Sequence, residues 1–257
     1  MALFYRETGD IEAPLIVFLH GGGVSGWMWD KQIEYFRDYH CLVPDLPGHG
    51  SSSSTSFSIR NSAEQIIDLI QAKAHGTQVI VIGFSLGAQI AIQILSMNAD
   101  LVDYAIINSA LVRPIPFANK MISPSIKLTY GLTKNRSFSK LQAKQLYIDQ
   151  EMFETYYKET CQMDRHVLIQ VLEENMAFQI PEDFARSNAK ILVTVGATEK
   201  KMMKKSVLDI VNKNSNGQGM IIPGVGHGVS LAQPELFNSI VEAWIHDREL
   251  PNMGLLK

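Results

Sequence analysis

Apolar residues fall in short continuous runs along the chain, separated by stretches of mixed polarity. The runs cover residues 15–19, 41–43, 79–82, 104–107, 191–195 and 220–222. None of them alternates polar with apolar residues, so we expect strands that are buried on both faces. Stretches 59–74, 86–97 and 234–244 repeat apolar residues at helical spacing. Alternating strands and helices predict a doubly wound α/β fold with a mostly parallel sheet.

The segment 113–185 interrupts this alternation, because it contains helical patterns and no convincing strand. Three prolines lie in its first part and Pro181 lies near its end. We predict a helical cap inserted over one end of the sheet, with residues 1–112 and 186–257 forming the core. The aromatic and methionine side chains of the cap either fill its own interior or line a substrate pocket.

Composition and charge limit the classes of protein to which the chain can belong. Of 257 residues, 46% are hydrophobic and 19% are charged, which excludes a disordered or fibrous chain. A net charge of -3 offers no basic footprint, so we expect no nucleic-acid partner. There is no signal-peptide pattern and no apolar run of about 20 residues, so we expect no membrane partner and a cytoplasmic location. The two cysteines, Cys41 and Cys161, fit a reducing compartment.

The strongest motif is Gly83-Phe84-Ser85-Leu86-Gly87, which has the form G-x-S-x-G between an apolar run and a helical pattern. In that context it predicts a sharp turn that exposes a serine hydroxyl at the carboxyl end of a sheet. The N-terminus of the following helix favours negative charge at the same point. Ser85 is therefore the candidate nucleophile.

A glycine loop, His20-Gly21-Gly22-Gly23, directly follows the first long apolar run. Glycines let the backbone approach a ligand, and a tetrahedral oxyanion needs two N–H donors. We expect one donor from Leu86 and the other from Gly22, with Gly23 as the next choice. A phosphate-binding loop would need a Lys-Ser/Thr pair or a Gly-x-Gly-x-x-Gly spacing, and neither is present.

One histidine, His227, lies in a glycine-rich loop after the last apolar run. A serine hydroxyl needs a base to accept its proton, and imidazole has a suitable pKa near neutrality. The remaining histidines lie in helical segments, in other loops or in the glycine motifs. His227 is therefore the candidate base.

The carboxylate that orients this base is expected after a strand that precedes it in the chain. Glu199 is the first acidic residue past the run 191–195, which makes it the candidate. The alternatives are that Glu199 is a surface residue beside two lysines, or that Asp183 or Asp209 serves, although neither follows a strand end.

These motifs together resemble the α/β-hydrolase superfamily over nearly the whole chain. The resemblance includes Asp45-Leu46-Pro47-Gly48-His49-Gly50-Ser51, which is a structural turn in relatives, so neither Asp45 nor His49 is assigned a catalytic role. It implies the α/β-hydrolase fold with a helical cap, a Ser-acid-His triad and a preformed oxyanion hole. Relatives more often carry Asp where this chain has Glu199.

We predict a serine hydrolase of carboxylesterase type, acting on a small, apolar or aromatic ester or thioester through Ser85, His227 and Glu199. A lactonase or C–C hydrolase would use the same residues. A lyase or synthase, or a ligand-binding protein, on the same scaffold is a further alternative. No spaced set of metal ligands is present, so we expect neither metal nor cofactor. The oligomeric state is left open.

Overall fold

The computed structural model describes residues 3–53, 56–251 and 254–256, and within them one sheet contains eight strands. The strands are β1 (Tyr5–Thr8), β2 (Leu15–Leu19), β3 (His40–Pro44), β4 (Val79–Phe84), β5 (Tyr104–Asn108), β6 (Lys190–Gly196), β7 (Gly217–Ile222) and β8 (Gly254–Leu256). All six predicted strands are confirmed as β2 to β7. The strands β2, β3 and β4 are buried along their whole length, as their continuous apolar runs require.

The strand order is β1-β3-β2-β4-β5-β6-β7-β8. The six inner strands pair in parallel, which confirms the predicted mostly parallel sheet. The two edge strands pair antiparallel and were not predicted. Half of β1 is exposed and β8 has only three residues, so neither forms a continuous apolar run.

Helices cover both faces of this sheet. In the described residues they are α1 (Asp30–Tyr35), α2 (Ile59–Lys73), α3 (Leu86–Met97), α4 (Ala118–Thr129), α5 (Arg136–Gln145), α6 (Gln150–Gln162), α7 (Arg165–Ala177), α8 (Lys201–Lys213), α9 (Val229–Ala232) and α10 (Pro234–Ile245). The three helices predicted from periodicity are confirmed as α2, α3 and α10. Ser58 caps α2 by accepting a hydrogen bond from the Asn61 amide at 3.4 Å.

Alternate residues of each central strand belong to two different apolar clusters. Leu15 and Val17 of β2 pack in the cluster that includes α2, α3 and α8. Ile16 and Phe18 pack in the cluster that includes α10 and the aromatic residues that follow β2. The sheet therefore has a core on each face, which is the doubly wound arrangement predicted from the sequence.

The helices α4 to α7 all lie between β5 and β6, and the described residues of the segment 113–185 form no strand. α4 packs against α7, and α5 packs against α6. A short 3₁₀-helix, Glu182–Arg186, follows them and packs against α3 through the fully buried Phe184. The division into a core of residues 1–112 and 186–257 and a cap of residues 113–185 stays a prediction.

Among the helices in the described part of the chain, none combines the length and the apolar character needed to cross a bilayer.

Candidate active site

Ser85 lies at the turn between β4 and α3, with φ 53° and ψ -109°. Residues other than glycine rarely adopt this backbone conformation, and tight packing around the turn is needed to hold it. A Cβ on Gly87 would lie 2.2 Å from the carbonyl oxygen of Leu19, and one on Gly83 would lie 2.4 Å from the carbonyl oxygen of Gly87. Both positions therefore require glycine, which explains the G-x-S-x-G spacing.

The three residues predicted for the triad form a continuous hydrogen-bonded chain. His227 Nε2 lies 3.1 Å from Ser85 Oγ. On the other side of the ring, His227 Nδ1 lies 2.9 Å from Glu199 Oε2. With Nδ1 protonated and bonded to the carboxylate, Nε2 is free to accept the serine proton. This arrangement matches the geometry that activates a serine nucleophile.

The side chain of Glu199 is buried, with only 3% of it exposed. It is nevertheless held as an anion. Burial raises the pKa of this carboxyl, but hydrogen bonds from His227, Ser109 and the Gly196 amide outweigh burial, so its pKa lies below the usual value. The rival acids are engaged elsewhere, because Asp209 pairs with Arg113 and Asp183 pairs with Arg186.

Ser109 is a site residue that sequence reasoning missed. It follows β5 directly, and its hydroxyl donates to Glu199 Oε1 at 2.7 Å. The Gly196 amide donates to the same oxygen at 3.0 Å. Both donors bind Oε1, so Oε2 is left to bond with His227 Nδ1. The signal was available, because Ser109 lies two residues past the apolar run 104–107, and Ser85 and Glu199 likewise lie within four residues of the end of a run.

Three backbone amides without a hydrogen-bond acceptor in the described part of the chain belong to residues that line the cavity beside Ser85. Gly22, Gly23 and Leu86 line the same cavity as Ser85. Leu86 is the first residue of α3, so its N–H has no acceptor within the helix. None of the three amides donates to another described residue. These are the properties expected of oxyanion-hole donors, and Gly23 adopts φ +79°, which favours glycine.

A cavity of about 460 Å³ opens onto Ser85 and His227. This volume falls within the range of small-molecule sites. Residues of α4 to α7 and the 3₁₀-helix Tyr130–Lys134 form most of the wall, namely Ile126, Thr129, Tyr130, Thr133, Phe138, Gln142, Gln145, Tyr156, Thr160, Leu168, Val171, Leu172 and Asn175. Among the described lining residues there is no Asp, Glu, Lys or Arg. Thr129 and Gln145 are exposed, so they mark the mouth.

The residues of the neighbouring turn have structural partners. Both carboxylate oxygens of Asp45 accept backbone N–H bonds, from Gly26 at 2.9 Å and from Ser51 at 2.8 Å. His20 accepts from the Leu46 amide, and burial lowers its pKa to about 4. Burial also lowers the pKa of His49 to about 3. Both histidines are therefore neutral near pH 7 and place no charge in the site. Their role is to brace the glycine loop.

One contact joins the helical cover, formed by α4 to α7 and their connections, to the loop that carries His227. The Gly226 amide donates to the Tyr147 hydroxyl at 2.9 Å, and Gly226 immediately precedes His227. On the other side of the base, a Cβ on Gly228 would lie 3.6 Å from the Tyr147 ring. Tyr147 follows α5 at φ 59°, an uncommon conformation for a non-glycine residue. Tyr147 therefore binds the residue before the candidate base His227 and lies close to the residue after it.

Removal of this hydroxyl is expected to slow turnover without weakening substrate binding. In Tyr147→Phe the Gly226 amide loses its acceptor, and a lost hydrogen bond of about 1 kcal/mol corresponds to about a fivefold fall in kcat with KM unchanged. Steady-state kinetics measure this split. Tyr157→Phe is the matched control, because that hydroxyl bonds to the Lys134 carbonyl within the helical cover. Equal losses in both variants, or a change confined to KM, would contradict the positioning role.

Comparison with known proteins identifies the family. Residues 16–240 match the model of the alpha/beta hydrolase family, which is most of the chain. The chain belongs to the alpha/beta hydrolase family. The match includes Ser85, Glu199 and His227, and it starts in β2 and ends in α10.

Several members of the family are similar to this alpha/beta hydrolase. The (E)-2-((N-methylformamido)methylene)succinate hydrolase of Acinetobacter baylyi is 23% identical over 94% of this chain and 93% of its own length. The Magnesium-chelatase 30 kDa subunit of Rhodobacter capsulatus is 38% identical, but over only 41% of this chain and 38% of its own length. A thermophilic esterase from Thermogutta terrifontis shares the fold, with a TM-score of 0.79, 18% identity and coverage of 95% and 93% of the two chains.

The described residues of this alpha/beta hydrolase also bear on metal and cysteine chemistry. They contain no group of three or more His, Cys, Asp or Glu side chains arranged to hold a metal ion. Cys41 is buried, and burial raises the pKa of its thiol to about 12. Such a thiol is protonated at neutral pH and is a poor nucleophile.

Proposed function

We propose that this alpha/beta hydrolase is a serine carboxylesterase that cleaves a small, uncharged ester or thioester through an acyl-enzyme. The observation that carries the proposal is the chain from Ser85 Oγ through His227 to Glu199, with distances of 3.1 Å and 2.9 Å, beneath a cavity of about 460 Å³. A hydroxyl, a base and an orienting acid in this order are what nucleophilic acyl transfer requires.

The reaction follows from these positions. Ser85 Oγ attacks the carbonyl carbon as His227 Nε2 accepts the hydroxyl proton. The Leu86 amide and a glycine-loop amide, from Gly22 or Gly23, donate to the oxyanion of the tetrahedral intermediate. Glu199 stabilises the imidazolium, which then protonates the departing alcohol or thiol. Water activated by the same histidine hydrolyses the acyl-serine and restores the free hydroxyl.

The uncharged lining supports an uncharged substrate. A carboxylate substituent in this cavity would lose its hydration with no Lys or Arg among the described lining residues to replace it. The cost of burying an unpaired charge is on the order of several kcal/mol. The Acinetobacter baylyi relative is named for hydrolysis of a succinate, and this lining favours a different class of substrate here. Ile126, Phe138 and Leu172 instead offer contacts to an apolar or aromatic group.

Two substrates, a methyl ester and the corresponding free carboxylate, test this proposal. The kcat/KM for methyl p-nitrophenyl adipate is expected to exceed that for p-nitrophenyl hydrogen adipate by about 100-fold, since burial of the free carboxylate is costly. Initial rates of p-nitrophenol release measure the ratio. A preference for the free acid would contradict the uncharged substrate class. Turnover of lactones or β-diketones in the same panel, with no turnover of esters or thioesters, would favour the lactonase or C–C hydrolase alternative.

A further inference from the structure

α4 is apolar on two opposite sides. Its inner side is buried or lines the cavity, through residues such as Ile122 and Ile126. On its outer side, and just before its first residue, Phe117, Met121 and Leu128 are 74%, 64% and 87% exposed. A separation of seven residues brings Met121 and Leu128 to one face of α4, and the exposed Phe117 lies at the N-terminal end of this helix. We call this face the α4 outer face.

Lysines without carboxylate partners flank the α4 outer face. From residue 113 to residue 148 the chain carries only cationic charges, which are Arg113, Lys120, Lys127, Lys134, Arg136, Lys140 and Lys144. The two arginines pair with Asp209 and Glu154. None of the five lysines forms an ion pair with another described residue. Lys120 and Lys127 are exposed on α4 itself, and Lys120 Nζ lies 5.8 Å from the centre of the Phe117 ring.

We propose that the α4 outer face docks onto a lipid bilayer that contains anionic lipids. Apolar side chains on a helix that lies in the plane of the interface enter the boundary between headgroups and acyl chains. Lysines beside them are attracted to the negative surface potential of such a bilayer. The expectation of no membrane partner came from the lack of a spanning segment, and it does not bear on a helix that lies on a bilayer surface.

The charge pattern favours a lipid surface over a second copy of this chain. A symmetric dimer through the α4 outer face would bring the same patch of both copies together. Lys120 and Lys127 of one copy would then approach the same residues of the other, and the surrounding segment supplies no carboxylate to neutralise them. An anionic bilayer covers the apolar side chains and neutralises the lysines at once.

Docking would bring the substrate cavity to the bilayer surface. Thr129 is exposed at the cavity mouth and directly follows Leu128 of the α4 outer face. Entry of an ester from the lipid phase rests on the proposed function, whereas the docking itself does not. Vesicle binding is therefore measured without any substrate, and its failure is distinguishable from the failure of the esterase proposal.

Sedimentation with lipid vesicles tests the docking. The full chain is expected to bind vesicles of phosphatidylcholine mixed with phosphatidylglycerol, to bind phosphatidylcholine alone at least about tenfold more weakly, and to dissociate in high salt. The double variant Lys120→Gln/Lys127→Gln is expected to bind the mixed vesicles at least about tenfold more weakly. The matched control Lys201→Gln/Lys205→Gln, on exposed positions of α8, is expected to bind like the unaltered chain.

A second variant tests the apolar contribution. In Phe117→Asn/Met121→Ser/Leu128→Ser, asparagine tolerates the φ of 61° at residue 117, and vesicle binding is expected to fall at least about tenfold. Ile11→Ser, at a 50% exposed position, is the control. Equal binding to neutral and anionic vesicles, no binding at all, or unchanged binding by the folded lysine variant would overturn the proposal. A dimer in analytical ultracentrifugation that the apolar variant dissociates would also overturn it.

Discussion

Substitution of Ser85 by alanine is expected to lower kcat/KM for a short p-nitrophenyl ester on the order of 10⁵-fold. The variant loses the atom that attacks the carbonyl, while Gly22, Gly23 and Leu86 keep their amides. The residual rate then comes from substrate binding and oxyanion stabilisation alone. Release of p-nitrophenol with freshly purified protein measures the loss.

The control for this experiment lies on α3, the helix that follows Ser85. Ser96 donates its hydroxyl to the Ile92 carbonyl within α3, so Ser96→Ala removes a serine hydroxyl without touching the cavity. Both variants are expected to keep the circular dichroism spectrum of the unaltered chain. Turnover by Ser85→Ala within about tenfold of the unaltered chain would show that another group attacks the substrate.

Substitution of Glu199 by glutamine is expected to lower kcat about 10³- to 10⁴-fold. Glutamine keeps the size of the side chain but removes its charge, and its amide nitrogen can face His227 Nδ1. The imidazole then loses the tautomer that leaves Nε2 free to accept the Ser85 proton. Because burial alone raises the pKa of this carboxyl, its ionised form depends on the hydrogen bonds from His227 and Ser109.

The rival acids serve as controls for the carboxylate role. Asp209→Asn removes the partner of Arg113, and Asp183→Asn removes the partner of Arg186, and neither pair includes Glu199 or His227. Single-turnover kinetics at neutral pH are expected to give near-normal rates for both. A loss in Asp209→Asn or Asp183→Asn as large as that in Glu199→Gln would reassign the acid.

The sequence predicted the sheet and named the three residues of the candidate triad, because both inferences depend on local patterns. Continuous apolar runs predict β2 to β7, since a strand buried on both faces tolerates few polar side chains. Candidate residues such as Ser85 and Glu199 follow the ends of those runs, and parallel strands bring their carboxyl ends to one edge of the sheet. Candidate catalytic residues at that edge can therefore be named before any tertiary contact is known.

The remaining parts of the site depend on contacts that no local pattern encodes. Tyr147 meets Gly226 across 79 residues of sequence, and Ser109 meets Glu199 across 90. The cavity wall depends on how α4 to α7 pack, and their helical periodicity predicts helices but not their angles. The edge strands β1 and β8 were missed because an exposed edge needs no continuous apolar run.

The proposed reaction requires one covalent intermediate, an ester between the substrate acyl group and Ser85 Oγ. Mixing with p-nitrophenyl butyrate, quenching with acid and peptide mapping by mass spectrometry detect it directly. We expect a burst of p-nitrophenol and a butyryl group on the peptide that contains Ser85, both absent from Ser85→Ala. Steady turnover by the unaltered chain with the butyryl group on another residue, or with no acylated protein during a measured burst, would contradict it.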